Sequence, residues 1–401
     1  MSDFCFALIA WGNACLPKRH ELVLHSFPDV EDQLVAVFRW LRDHPERALP
    51  TTLLVSGSEE EARGRLRLLV GPFIETLHIK KKSKFSAVWH YWRARYVFFT
   101  HGLYGFRPAN SHQCVINLWH GMPLKRVWRG LKGSHIPQCT WLLSTSEKFS
   151  EIQASASGFG IGMIPAIGLP RNDLLFSRTD AALQFGSNIR KGCDRVVLFL
   201  PTYRQSKAGF ITEDGVETAN SLAMTETELV EFRAMLAATR TRVLVKPHPM
   251  SVHYGRELII DNWLWVISDS WLQRQGVTLY EALGQMDALV TDVSSVYVDF
   301  LCLNRSIFFY FPDIDAYRKT RTFQIEPVEN YLAGPLCTSA EDLTTRLQEY
   351  SCGVDTYKEQ RTKLATLLNP QDREGATNRL FQLAGITDRL CAGGEDSIHH
   401  P

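Results

Sequence analysis

Four polar clusters, each directly after a short apolar run, hold the side chains of this 401-residue sequence best suited to chemistry. The first is Trp119-His120-Gly121-Met122-Pro123-Leu124-Lys125, after Val115–Leu118. A His at a strand end, held by a Gly and a Pro that set the turn, is placed to act as a general base near neutral pH. The second is Pro201-Thr202-Tyr203-Arg204, where the guanidinium is a planar donor fork for phosphate. The third is Lys246-Pro247-His248-Pro249, in which two prolines stiffen the backbone around a His. The fourth is Thr291-Asp292-Val293-Ser294-Ser295, two hydroxyls at the start of an apolar helix, a natural anion site. Taken singly, each also reads as structure: a His bonded to a loop carbonyl, a surface Arg, a plain loop, a helix cap.

Together they say more. A cleft lined by His120 on one side and by Arg204, His248, Ser294 and Ser295 on the other is a base facing a phosphate or diphosphate clamp. That combination points to group transfer from a phosphorylated donor. Other patterns are weaker. Asp313-Ile314-Asp315 is a short D-x-D, Gly158-x-Gly160-x-Gly162 lacks the dinucleotide spacing, and Walker A, H-E-x-x-H and G-x-S-x-G motifs are absent. Lys80-Lys81-Lys82 with Lys84 is a local basic run that suits a solvated face, an anionic acceptor or lipid headgroups.

The elements that must position these clusters alternate apolar runs with amphipathic stretches, the pattern of parallel α/β folding. Strands are predicted at Phe4–Ala10, Thr52–Val55, Tyr96–Thr100, Val115–Trp119 and Trp141–Thr145. A second series covers Val196–Leu200, Val243–Lys246, Trp263–Ile267, Ala288–Thr291 and Ile307–Phe311. Helices are expected after Asp29 as cap, after Ser58 and Ser146, and over Glu226–Ala238, Thr278–Gly284, Ser294–Leu303, Ala340–Tyr350 and Tyr357–Leu368. Gly- and Ser-rich Ser155–Gly168 and polar Gly186–Gly192 bracket a boundary between two stacked α/β domains. We divide the chain into 1–170, 171–385 and a frayed tail, 386–401, with ligands at the C-terminal strand ends.

Composition narrows the classes. Lys plus Arg (44) balances Asp plus Glu (43), so no bulk attraction for nucleic acid is expected. Nine cysteines are scattered without a C-x-x-C pair, which excludes a zinc ribbon and reads as reduced thiols in a cytoplasmic protein. No run approaches the ~20 apolar residues that cross a bilayer, so membrane contact is expected to be peripheral. Phe4–Trp11 follows Asp3 rather than Lys or Arg and reads as a buried strand, not a signal segment.

The clusters resemble the motifs of one family. W-H-G-M-P-L-K resembles the W-H-G-T-P-L-K signature of the CDP-glycerol glycerophosphotransferases of teichoic acid and capsule synthesis. Gly168 to Asp173 is similar to the family's G-x-P-R-x-D segment. P-T-Y-R, K-P-H-P, T-D-V-S-S-V-Y-V-D-F and the stretch Phe309 to Phe323 follow in the family's order, six motifs across Asn117–Pro335. Met122 stands for a Thr, Pro247 for a Leu, Val293 for a Tyr and Thr322 for a Gly.

The resemblance implies a GT-B-like pair of Rossmann-like domains with parallel sheets facing a cleft. It implies transfer of a polyol phosphate, glycerol phosphate first, from a CDP-activated donor to an acceptor hydroxyl, with release of CMP. His120 would be the base, with His248 and Arg204 as further catalytic groups. Arg171, Asp173, Arg204, His248, Ser294 and Ser295 would bind substrate. Basic groups on the diphosphate make a metal dispensable, so neither metal nor cofactor is expected. The implied partners are a CDP-polyol and a lipid-linked, oligosaccharide or phosphopolyol acceptor at the inner membrane face. Two other readings share the fold: a GT-B glycosyltransferase using a nucleotide sugar, and a catalytically silent nucleotide-binding protein.

Overall fold

The structure is a computed structural model, and it describes residues 3–104, 112–124, 127, 138–201, 222–248, 258–292, 294–320, 323–370 and 375–386. The first half runs α1 (Asp3–Cys15), β1 (Arg19–His25), α2 (Asp32–Asp43), β2 (Thr51–Val55), α3 (Glu59–Val70), β3 (His78–Lys81) and α4 (Phe85–Arg93). It continues with β4 (Ala94–Phe99), β5 (Cys114–Asn117), β6 (Trp141–Leu142) and α5 (Glu147–Ser157). The second half runs α6 (Asp180–Arg190), β7 (Arg195–Leu200), α7 (Glu226–Ala238), β8 (Thr241–Val245), β9 (Leu258–Ile259), β10 (Leu264–Val266), α8 (Asp269–Arg274) and α9 (Leu279–Gly284). Then come β11 (Ala288–Thr291), α10 (Val296–Phe300), β12 (Ser306–Tyr310), α11 (Ile314–Thr320), β13 (Leu336–Cys337), α12 (Ala340–Ser351), α13 (Lys358–Leu368) and α14 (Ala376–Leu383).

The two sheets repeat one design. The first is ordered β3-β2-β1-β4-β5-β6 and the second β13-β12-β11-β7-β8-β10-β9. Set aside the short antiparallel edge strand β9, and each is a doubly wound sheet of six parallel strands. In each, the strand order reverses beside the first strand, between β1 and β4 and between β7 and β11. Such switch points open a crevice at the carboxyl ends of the strands. The fold is therefore α/β and GT-B-like, as the motifs imply.

Central strands such as β2 and β8 are buried along their whole length because helices cover both faces. The helices start where caps dictate. Ser58 accepts from the Glu61 amide, Ser146 from Phe149, and Thr225 with Glu228 closes a capping box on α7.

Several expectations need correction. Phe4–Ala10 lies in helix α1, which docks on α4 through the Trp92 Nε1 bond to the Ile9 carbonyl (2.8 Å). A short apolar run fits a strand or a helix equally well, and here β1 fills the strand position with buried Leu22–Leu24. Asp29 does not cap α2. Its carboxylate takes the Ser56 and Gly57 amides (2.7 Å each), and Glu31 caps instead. Gly186 lies inside α6, whose Ala182, Phe185, Gly186 and Ile189 form a buried helical stripe. Residues 387–401 of the expected frayed tail lie outside the described residues.

The last helices return to the first half. Phe381 of α14 stacks on Trp40 of α2 (centroids 3.7 Å, planes 10° apart), and Thr145 donates to the carbonyl of Leu368 at the end of α13 (2.6 Å).

Candidate active site

His120 leaves β5 on a tightly built turn. Asn117 Oδ1 accepts from the Trp119 amide (3.0 Å), the Trp119 indole donates to the Gly121 carbonyl, and Trp119 adopts φ 59°. A non-glycine residue there costs of order 1–3 kcal/mol and needs outside support. Buried Gln33 of α2 supplies some, its Nε2 donating to the Leu118 and Trp119 carbonyls (3.2 and 3.3 Å).

The His120 ring is open to the cleft, but the cleft is deep and walled by protein. This setting holds its pKa far below the ordinary imidazole value, with the neighbouring His101 and Arg171 adding to the effect. Its Nδ1 lies 3.4 Å from the Thr100 carbonyl, a long contact that favours the tautomer with the proton on Nδ1 and the lone pair on Nε2. The loop-carbonyl contact thus engages one ring nitrogen, Nδ1, of a side chain that lines the cleft.

Arg171 joins the two halves. Its Nη2 donates to Asp299 Oδ2 (2.7 Å), its Nη1 to Glu31 Oε1 (3.3 Å) and to the His120 carbonyl (3.1 Å). The Tyr280 ring lies under the guanidinium at 4.8 Å, and its hydroxyl donates to the same Asp299 oxygen. Burial opposes the charge, yet Asp299, then Tyr280 and Glu31, hold Arg171 firmly protonated. Burial pushes Glu31 up to about 7, with Arg171 pulling the other way, and Asp32 up to about 6 against the Tyr280 amide. Further struts cross the same seam. Arg39 forks onto Glu281 (2.7 and 3.0 Å), and the Tyr280 amide donates to Asp32 Oδ2 (2.9 Å).

The opposite wall comes from the ends of β7, β8 and β11. Lys246 is buried and paired with Asp269 (3.0 Å), and His248 follows it at the cavity edge. Ser295 stands at the N-terminal cap position of α10, but its side chain makes no capping bond. It packs against Gly121 instead. A Cβ on Gly121 would lie 2.2 Å from Ser295 Oγ, so only glycine, here at φ 144°, allows the two loops to meet.

These walls enclose a cavity of about 340 Å³ lined by Glu31, Asp32, Arg65, His120, Arg171, Lys246, His248, Asp269, Tyr280, Ser294 and Ser295, among others. The structure therefore brings His120, Arg171, His248, Ser294 and Ser295 together. It does not bring Asp173, whose carboxylate takes the Gly375, Ala376 and Thr377 amides at the start of α14 (2.9, 2.9 and 2.8 Å). Arg204 lies outside the described residues, as do Thr202, Tyr203, Lys125, Val293 and Thr322. Of the basic run, Lys82 bonds His25 Nε2 (3.1 Å) and Lys84 pairs with Glu59 (2.7 Å). Among the described residues no cluster of three His, Cys, Asp or Glu is arranged for a metal ion.

Sequence reasoning missed Glu31, Asp32, Gln33, Arg65, His101 and Tyr280. The adjacent acidic pair at the start of an amphipathic stretch was the one available signal, and Asp29 drew it away.

The sequence matches the model of the family described as CDP-Glycerol:Poly(glycerophosphate) glycerophosphotransferase over residues 14–384. A teichoic acid poly(glycerol phosphate) polymerase of Bacillus subtilis (strain 168) is 27% identical over 269 residues, 61% of this chain and 33% of that protein. The chain thus spans about a third of that relative's length. A teichoic acid ribitol-phosphate primase of Bacillus spizizenii is 24% identical over 355 residues, 82% of this chain and 83% of that one. Among solved structures, the wall teichoic acid polymerase TagF superposes with TM-score 0.71 at 20% identity, covering 96% of this chain and 94% of that one. At that identity the likeness speaks for the fold. Among the described residues no helix is long and apolar enough to cross a membrane.

Proposed function

Because the chain belongs to the CDP-glycerol:poly(glycerophosphate) glycerophosphotransferase family, we propose that it transfers a polyol phosphate from a CDP-activated donor to an acceptor hydroxyl, releasing CMP, in the synthesis of a teichoic-acid-like or capsule polymer. Glycerol phosphate is the first choice of donor group. One observation carries the reading: a single cavity joins a neutral, oriented imidazole from the first sheet to basic and hydroxyl groups at the carboxyl ends of β8 and β11 in the second.

In this reading the diphosphate lies on the second half, against His248, Ser294 and Ser295, with Arg204 as a further ligand. The acceptor hydroxyl approaches from the first half, residues 1–170. Nε2 of His120 takes its proton as the oxygen bonds to the β-phosphorus. The bridging P–O bond breaks and CMP leaves with the electron pair. The cleft suits this chemistry, since phosphoryl transfer depends mainly on positioning and charge stabilisation. The base is neutral in the empty cleft and gains basicity when the anionic donor arrives, because opposite charge favours imidazolium. Arg171 acts as a strut, since Asp299, Glu31 and the His120 carbonyl already occupy it. The acceptor in this reading is a lipid-linked or oligosaccharide chain met by peripheral contact with the inner membrane face.

The test is CMP release from CDP-glycerol and CDP-ribitol, with nucleotide sugars as controls and His120→Ala alongside. Acceptor-dependent release from a polyol donor, lost in the variant, is the expected result. Turnover of a nucleotide sugar alone would refute the proposal.

A further inference from the structure

Thr100 and His101 leave β4 beside the turn that carries His120, because β4 and β5 are paired in register with Phe99 opposite Asn117. The two imidazoles stack, their centroids 4.3 Å apart and their planes 20° from parallel. His101 is itself held in place. Thr100 Oγ1 lies 3.0 Å from its Nδ1, and the Phe27 ring meets it edge-on at 5.8 Å. His120 is thus clamped between a carbonyl on its edge and a second imidazole on its face, with Trp119 tilted against it at 4.2 Å.

We propose that His101 is a positioning residue whose ring fixes the plane of His120, aims Nε2 at the cleft and allows the stacked pair to carry only one proton. The proposal rests on His120 being the base. Two like charges at this separation repel, whereas a neutral aromatic face attracts a single cation. When His120 takes the acceptor's proton, a neutral His101 therefore stabilises the imidazolium and still discourages a second proton. Burial, followed by the charge of Arg171, holds the pKa of His101 itself down to about 4, consistent with that role. The other charged groups lining the cavity are Glu31, Asp32 and Arg65 on one wall and Lys246, His248 and Asp269 on the other, with Arg171 between.

The experiment is NMR of histidine-labelled free protein, with His120 assigned through His120→Ala, run beside CMP-release kinetics on His101→Ala and His101→Phe. In His101→Ala, water reaches the exposed ring face and relieves the burial that is the main cause holding His120 down, an effect larger than the lost attraction of the neutral ring for its cation. The His120 titration should therefore climb toward the free-imidazole value of ~6.5, and its Nδ1–H tautomer should lose its dominance. Turnover (kcat) should drop about tenfold or more, with the donor KM changed less than about twofold. His101→Phe, which keeps a flat ring, should restore the tautomer, the titration and most of the turnover. If the alanine variant unfolds, His101→Asn removes the ring in its place. An unchanged His120 spectrum in the ring-less variant would overturn the proposal, as would a folded phenylalanine variant as impaired as alanine. Activity lost in His101→Ala but kept in His120→Ala would make His101 the base and overturn it too. The expected spectra from a protein that turns over no donor would uphold the positioning and sink the assigned reaction instead.

Discussion

Replacing Arg171 by Met should destabilise the fold strongly, because it breaks a buried ion pair at the seam of the cleft. The side chain of Asp299 is fully buried, and without Arg171 only the Tyr280 hydroxyl donates to it among the described residues. Removing one partner of a buried ion pair costs about 3–5 kcal/mol, because the other charge is stranded. Set against a total stability of ~5–15 kcal/mol, that is a large share. Asp299→Leu should cost a similar amount by stranding the guanidinium. The double variant, with both charges gone, should be less destabilised than the two singles together, by at least ~2 kcal/mol. Denaturant midpoints of the four proteins measure the cycle. CMP release on the same samples should not recover in the double variant, since the His120 carbonyl has still lost its anchor. Strict additivity, or a loss under ~1 kcal/mol for Arg171→Met, would refute the view of this pair as a coupled buried strut.

Three further outcomes are expected. Gly121→Ala should lower turnover at least ~10-fold and stability by about 1–3 kcal/mol, because its Cβ would collide with Ser295; a fully active variant would show that the two loops need not meet. Asp173→Ala should cost about 1–2 kcal/mol by uncapping α14 while the donor KM stays as it is; a KM rise of tenfold without loss of stability would return Asp173 to the substrate. The buried His25 has its pKa lowered to about 4, by burial first and by Lys82 second, whereas the unfolded chain titrates near ~6.5. Its neutral ring thus stabilises the fold fully above pH ~6.5 and progressively less down to pH ~4. His25→Gln keeps a donor for the Leu54 carbonyl, so its stability relative to wild type should improve on acidification through that window by up to ~1.4 kcal/mol per pH unit. A pH-independent difference in urea unfolding would count against a neutral buried His25.

What the sequence revealed follows from the range over which its signals act. Helix α7 was legible to the residue at Glu226–Ala238, since the Thr225/Glu228 capping box is a local pattern. The strand ends carrying His120, His248 and Ser294 were legible because buried parallel strands read as apolar runs cut off by polar or Pro-containing turns. Strand β1 escaped because Arg19, His20 and Glu21 at its start are not buried, and only its last four residues are. Asp29 and Glu31 stand three positions and one position before the start of α2. Which one capped it was decided by the Ser56 and Gly57 amides from the far end of β2. The struts of the cleft were invisible for the same reason. Gln33 meets Arg171 across 138 residues, Arg39 meets Glu281 across 242, and Asp32 meets Tyr280 across 248. No window on the chain holds both partners.

The stacking of Phe381 on Trp40 also bears on how the protein is made. Helix α2, which covers the first sheet, is capped by Glu31 and bears Asp32 and Gln33, packs against a helix whose residues are 376–383. At ~5–20 residues per second, ribosomes need roughly 10–40 s to travel from residue 170 to residue 383. Throughout that interval the indole of Trp40 has no aromatic cover from α14, and Asp173 has no helix to cap. The first sheet can form early in synthesis, but the layer that holds its side of the cleft closes only when residues 376–383 have emerged.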